Sequence, residues 1–224
     1  MSSVAGLRMF SDREDAARAL AQRLAEYRGR NPLILAIPRG AVPMGEVLAD
    51  SLQGELDLVL VHKIGAPFDP EYAVGAIDES GWSCLDPAAV AHVGGPAVFE
   101  EARNRQLAAL KKRRARYTPF MQPIDPKGRI AIVVDDGLAT GATMIAALHA
   151  VRAREPLELV CAVPVAAGDS LEKVAALADR VVCLHPASQF GAVSHYYARF
   201  VQVEDDEVTA ILKRQRAARG AKTS

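Results

Sequence analysis

Five short apolar runs punctuate the chain, at residues 33–37, 56–61, 130–134, 159–165 and 180–184, and each has the length of a strand. Helical spacing fills most of the intervals. Ala16, Ala17, Leu20 and Leu24 recur on one face behind Ser11 and Glu14, whose separation is that of a capping box, and this predicts a first helix over 12–27. Gly29 and Pro32 end it. The run at 33–37 passes through the turn Pro38-Arg39-Gly40-Ala41 into a helical stretch over 42–52. The run at 130–134 passes through Asp135-Asp136-Gly137 into a helix opening near Thr143, and a helical pattern at 170–178 separates the last two runs. Strands alternating with helices predict an α/β fold, a central, mostly parallel five-stranded sheet flanked by helices on both faces.

Residues 64–128 break this rhythm. The interval is longer than an ordinary crossover and too long to lack structure inside a compact domain. Runs at 72–77 and 82–85 flank Asp78-Glu79-Ser80-Gly81, which predicts a β-hairpin, and 98–116 reads as a charged helix. The segment is expected to be an inserted hairpin-and-helix flap. A last helix over 205–216 starts acidic and carries Lys213, Arg214 and Arg216 toward its end, as the helix dipole favours. With 224 residues, half of them hydrophobic, the chain can bury one sizeable core, so 1–224 is expected to form a single domain.

Charge and cysteine usage narrow the function classes. Lysine plus arginine and aspartate plus glutamate number 27 each, so no net field draws the chain to nucleic acid or to an anionic membrane. Cys84, Cys161 and Cys183 are odd in number and lack CxxC spacing, and two lie in apolar runs, which fits reduced, buried thiols in a cytosol. No apolar run approaches the roughly 18 residues of a membrane span, and the first residues hold no signal-like apolar stretch, so a soluble, cytoplasmic protein is expected. His62, His92, His149, His185 and His195 show no zinc-type spacing.

The chemistry concentrates in Val133-Val134-Asp135-Asp136-Gly137-Leu138-Ala139-Thr140-Gly141-Ala142-Thr143. An apolar strand ends at two adjacent carboxylates, and a loop rich in glycine and threonine then opens a helix. Main-chain N–H groups at such a turn converge on one point and favour phosphate, with the hydroxyls of Thr140 and Thr143 as further donors. Ionised carboxylates only accept, which suits the vicinal hydroxyls of a sugar or the shell of a hard divalent cation. Phosphate, diol and metal together describe a phosphorylated ribose. The loop has no lysine before its threonine, no GxGxxG follows a strand, and no GxSxG occurs, which excludes a P-loop, a dinucleotide fingerprint and a nucleophile elbow.

This stretch resembles the 5-phosphoribosyl-1-pyrophosphate (PRPP) signature of type I phosphoribosyltransferases, most closely the wording of their adenine and xanthine branch. Ile37-Pro38-Arg39-Gly40-Ala41 is similar to the family's pyrophosphate loop after the first core strand, and Lys63 matches a basic residue at the start of its catalytic loop. His62-Lys63-Ile64-Gly65-Ala66-Pro67, Tyr72-Ala73-Val74-Gly75-Ala76 and Phe190-Gly191-Ala192-Val193 extend the likeness to a bacterial subgroup assigned to this family. The resemblance implies a type I phosphoribosyltransferase-like fold, with 64–128 as a flap that closes over the site and 185–224 as the C-terminal hood and helix. It implies an enzyme of nucleotide salvage that transfers phosphoribose from PRPP to a nitrogenous base and releases pyrophosphate, with Mg2+ as cofactor. By that resemblance Asp135 and Asp136 hold the ribose hydroxyls and the ion, the ion through water or substrate. Gly137, Leu138, Ala139, Thr140, Gly141, Ala142 and Thr143 wrap the 5-phosphate. Arg39, Gly40 and Lys63 face pyrophosphate, with Arg39 and Lys63 as the catalytic cations, and Phe190 is the candidate to stack on the base. Homodimers are common in the family.

Ala139 departs from the oxopurine and orotate types, which carry an aspartate there, and this tells against hypoxanthine-guanine activity. Phe190 has an equal claim as a filler of the core. Lys111-Lys112-Arg113-Arg114 with Arg116 reads as a solvated helix face rather than a nucleic-acid grip. A PRPP-binding sensor that regulates a partner without turnover is the competing reading, since folds do not fix functions. The presence of both Arg39 and Lys63 favours the enzyme.

Overall fold

The computed structural model describes residues 9–65, 73–85 and 96–222. Helix α1 (Arg13–Arg23) and a 3-10 turn (Ala25–Tyr27) precede β1 (Leu33–Ala36), α2 (Val42–Leu52) and β2 (Glu55–Leu58). Strands β3 (Val61–Gly65), β4 (Ala73–Asp78) and β5 (Ser83–Leu85) lead to α3 (Pro96–Tyr117). The second half alternates β6 (Ile130–Val134), α4 (Ala142–Arg152), β7 (Glu158–Ala167), α5 (Gly168–Ala175) and β8 (Arg180–Ala187). A 3-10 turn (Val193–Tyr196) and α6 (Asp205–Lys222) complete the described chain.

Five strands form a parallel sheet in the order β2-β1-β6-β7-β8. Because successive side chains leave a strand on opposite faces, the apolar runs supply two cores. Ile34, Ala36, Ile132, Val134, Val160 and Ala162 pack on one face with α1, α2 and α6, while Leu33, Leu35, Ala131, Val133, Leu159 and Cys161 pack on the other with α4 and α5. Cys161 and Cys183 carry free thiols, and burial raises the pKa of both.

The first helix is capped one residue later than Ser11. The Asp12 carboxylate accepts the N–H of Asp15 at 3.0 Å, and the Asp15 carboxylate accepts the N–H of Ser11 at 3.1 Å, so an Asp-Asp pair takes the role predicted for Ser11 and Glu14. The apolar run at 56–61 is shared between two sheets. The parallel strand stops at Leu58, and Val61 opens an antiparallel sheet β3-β4-β5. Val59, Leu60 and Val61 are buried throughout, so hydrophobicity does not mark the change.

The described hairpin and helix of the insert pack on the body of the fold. β3 and β4 lie against α4, the Trp82 ring stacks on His149 with centroids 5.6 Å apart, and Phe99, Leu110 and Tyr117 of α3 join the first core. Arg114 is no solvated charge. It is 11% exposed, pairs with Glu79 of the hairpin and with buried Asp57 of β2, and donates to the Leu58 carbonyl at 2.9 Å. Arg116 pairs with Asp205 at the start of α6. Ala66, Pro67, Tyr72 and His92, and with them the parts of the flap at 66–72 and 86–95, lie outside the described residues.

Candidate active site

β1 and β6 are parallel neighbours, with Ala36 opposite Val134, so the chain leaves both at the same edge of the sheet. β2 lies outside β1, and β7 and β8 lie outside β6, so the strand order reverses between this pair. At such a switch point the connections diverge to opposite faces and leave a crevice beyond the strand ends. Pro38-Arg39-Gly40-Ala41 and Asp135-Asp136 emerge side by side there, with the N–H of Ile37 donating to the Val134 carbonyl at 3.1 Å. The approach is close at Gly40. A β-carbon at that position would lie 2.3 Å from Asp136 Oδ2, so any larger residue would force the carboxylate off Arg13 or the loop away from it.

Asp136 is held at both ends. Arg13, from the first turn of α1, directs Nε at 2.9 Å and Nη2 at 2.8 Å to the same oxygen, Oδ2. The Tyr197 hydroxyl donates to the Asp136 main-chain oxygen at 2.7 Å. The N–H of Asp136 in turn donates to Asp135 Oδ1 at 2.9 Å. Burial and the adjacent Asp136 carboxylate push the Asp135 carboxyl well above the ordinary range, and burial pushes Asp136 up while the Arg13 guanidinium opposes it. A desolvated like-charged pair gains from any group that supplies positive charge or hydroxyl donors.

The loop at 137–143 is anchored by its main chain. Leu138 bridges to the end of β7, its N–H donating to the Val165 carbonyl and its carbonyl accepting from Ala167, both at 2.9 Å. Gly137 is wedged between Val165 and Val193, where a β-carbon would come within 2.8 Å of each side chain. The Ser170 hydroxyl donates to the Ala139 carbonyl at 2.6 Å. Gly141, at φ +77°, opens α4 without a side chain of its own to cap it, while the Thr140 hydroxyl accepts the N–H of Ala142 at 3.5 Å. Its first-turn amides thus form an anion-binding corner, with Ala139, Thr140 and Thr143 exposed around it.

The remaining predicted site residues stand on other elements. Arg39 is half-buried, and its Nη1 donates to Glu204 Oε2 at 2.9 Å, just ahead of α6. Phe190 lies beyond β8, half-buried, with its ring stacked on Tyr196 at 5.4 Å between centroids. Lys63 belongs by its main chain to β3, opposite Ala76, in the second sheet. Arg13, Tyr197, Ser170 and Glu204 were not legible as site residues in the sequence, because each reaches the loops from a distant element and none belongs to a motif. Among the described residues no group of three or more His, Cys, Asp or Glu side chains gathers to hold a metal. The acidic pair suits a hard cation whose other ligands are substrate oxygens and water.

The family model described as the phosphoribosyl transferase domain matches residues 11–199, a span that includes Arg13, both loops and Tyr197. Two Mycobacterium tuberculosis proteins, of strains H37Rv and CDC 1551, each named as a phosphoribosyl transferase, are 43% identical to the chain over 210 residues, which is 93% of this chain and 47% of theirs. The chain thus spans about half the length of these curated relatives. The crystal structure of TT1426 from Thermus thermophilus aligns with a TM-score of 0.83 at 42% identity, covering 92% of this chain and 99% of that one. With the family model covering residues 11–199 of its 224, the chain belongs to the phosphoribosyl transferase domain family.

Proposed function

We propose that this chain is a cytoplasmic phosphoribosyltransferase of nucleotide salvage that uses PRPP and Mg2+, joins phosphoribose to a nitrogenous base and releases pyrophosphate. The observation that carries this reading is the convergence of Asp135 and Asp136 with the Gly40 loop on one side and the start of α4 at Gly141 on the other. The 5-phosphate sits on the amides of 137–143, the ribose hydroxyls donate to the acidic pair, and pyrophosphate lies along the loop of Arg39 and Gly40.

In the reaction a base nitrogen forms a bond to the anomeric carbon as the bond from that carbon to pyrophosphate breaks, through an oxocarbenium-like transition state. Negative charge grows on the departing group, so donors fixed beforehand in the pyrophosphate loop, with Arg39 and Lys63, stabilise the transition state more than the ground state. Bound Mg2+ would neutralise charge on the pyrophosphate oxygens, held by Asp135 and Asp136 through water or substrate. Arg39 exchanges Glu204 for the substrate, and the Phe190 ring offers a face for the base.

Calorimetric titration of PRPP with and without Mg2+, followed by a pyrophosphate-release assay over purine and pyrimidine bases, tests this reading. Mg2+-dependent binding and release with one base is the expected result. Absence of PRPP binding would overturn the reading, and binding without release by any base would replace the enzyme with a PRPP sensor.

A further inference from the structure

Resting on the reading of 135–143 as the phosphoribosyl site, we infer that Arg13 is a positioning residue for that site: it pins one oxygen of Asp136 and leaves the other to accept a ribose hydroxyl. Both of its N–H contacts with Asp136 fall on Oδ2, and neither reaches Oδ1. The guanidinium is itself fixed on its remaining sides. Nη1 donates to the Val201 carbonyl at 2.6 Å, and the plane lies over the Phe200 ring at 3.8 Å. A planar fork that stacks and places three donors on two acceptors is specific to arginine; lysine supplies the charge without the geometry.

The backbone explains how a residue 123 positions away reaches the site. Phe10 and Tyr197 form a parallel bridge, the N–H of Ala198 donates to Phe10 at 2.8 Å, and the N–H of Arg199 donates to Ser11 at 3.0 Å. Segments 10–13 and 197–201 are therefore one unit, and from it Arg13 holds the Asp136 side chain while Tyr197 holds its carbonyl. An ion pair this far removed from water, with the two side chains 11% and 16% exposed, is a weak device for stability alone. Its geometric effect falls on a carboxylate of the crevice.

The test is titration of PRPP with Mg2+ and, separately, of inorganic phosphate at about pH 7 into the wild type, Arg13→Gln and Arg13→Lys, each checked by thermal melting. Arg13→Gln should weaken PRPP binding about 10-fold or more and leave phosphate binding unchanged, because phosphate has no hydroxyl to place on Asp136. Arg13→Lys should bind PRPP about 3-fold or more weaker. A folded Arg13→Gln protein with wild-type PRPP affinity overturns the assignment, as does an equal loss for both ligands. Should Arg13→Gln fail to fold, Arg13→Lys decides: weaker binding at an unchanged melting temperature supports the assignment, and unchanged binding overturns it. If the wild type does not bind PRPP, the phosphoribosyl reading itself falls and this inference with it.

Discussion

The hydroxyl of Tyr197 donates to the main-chain oxygen of Asp136 across 2.7 Å, tying the segment after β8 to the end of β6. Tyr197 is buried, and burial raises its pKa, so the hydroxyl keeps its proton over the whole working range of pH. Tyr197→Phe removes the donor and leaves the carbonyl without it. The expected loss is about 1–3 kcal/mol of stability in urea denaturation. A change below about 0.5 kcal/mol would mean that the bond does not anchor the loop.

Asp135 gives a pH dependence of definite sign. Its folded pKa is raised by burial and by Asp136, so the folded state binds the proton more tightly than the unfolded state does. Stability is then lost as pH rises from the ordinary carboxylate value near 4 through the raised folded value. Asp135→Asn removes that penalty. At pH 7 its melting temperature should exceed the wild type's, by about 2–4 °C per kcal/mol relieved, and the difference should vanish below pH 4. Melting curves at pH 4 and pH 7 check this; equal melting temperatures at pH 7 would refute it.

Glu204 competes for the Arg39 guanidinium from an exposed position. If Arg39 faces pyrophosphate, Glu204→Gln should tighten PRPP binding by up to about fivefold, the range of an exposed ion pair. The gain should shrink at high salt, where such pairs are screened. Calorimetry at 50 mM and 500 mM salt measures both effects, and weaker binding by the variant would show that Glu204 supports the site rather than opposing it.

Arg114 neutralises a carboxylate that has almost no access to water. Burial pushes Asp57 up, with Arg114 opposing it, and Asp57 also accepts from the N–H groups of Leu58 and Ile124. Arg114→Ala strands that charge and should cost about 3–5 kcal/mol in urea denaturation. Pairing it with Asp57→Asn should recover part of the loss, because the stranded charge is then gone. A double variant less stable than Arg114→Ala would place the main effect at Glu79.

Periodicity alone determined the parallel α/β scaffold and the bounds of α2 and β6, since a strand covered on both faces must be apolar at successive positions and a covering helix on one stripe. The acidic pair, the loop at 137–143 and the glycine turn were legible for a related reason. Local chain geometry supplies their chemistry, so neighbouring residues carry the whole signal. The division of 56–61 between two sheets was hidden, because Leu58, Val59, Leu60 and Val61 run apolar across the break. Arg114 looked like one charge among five on a helix until Asp57 and Glu79 came to face it. Arg13, Tyr197 and Glu204 likewise had no local mark. Their roles arise from contacts across 123, 61 and 165 positions, and only the folded arrangement of α1, the hood and the start of α6 around one crevice brings them to the site.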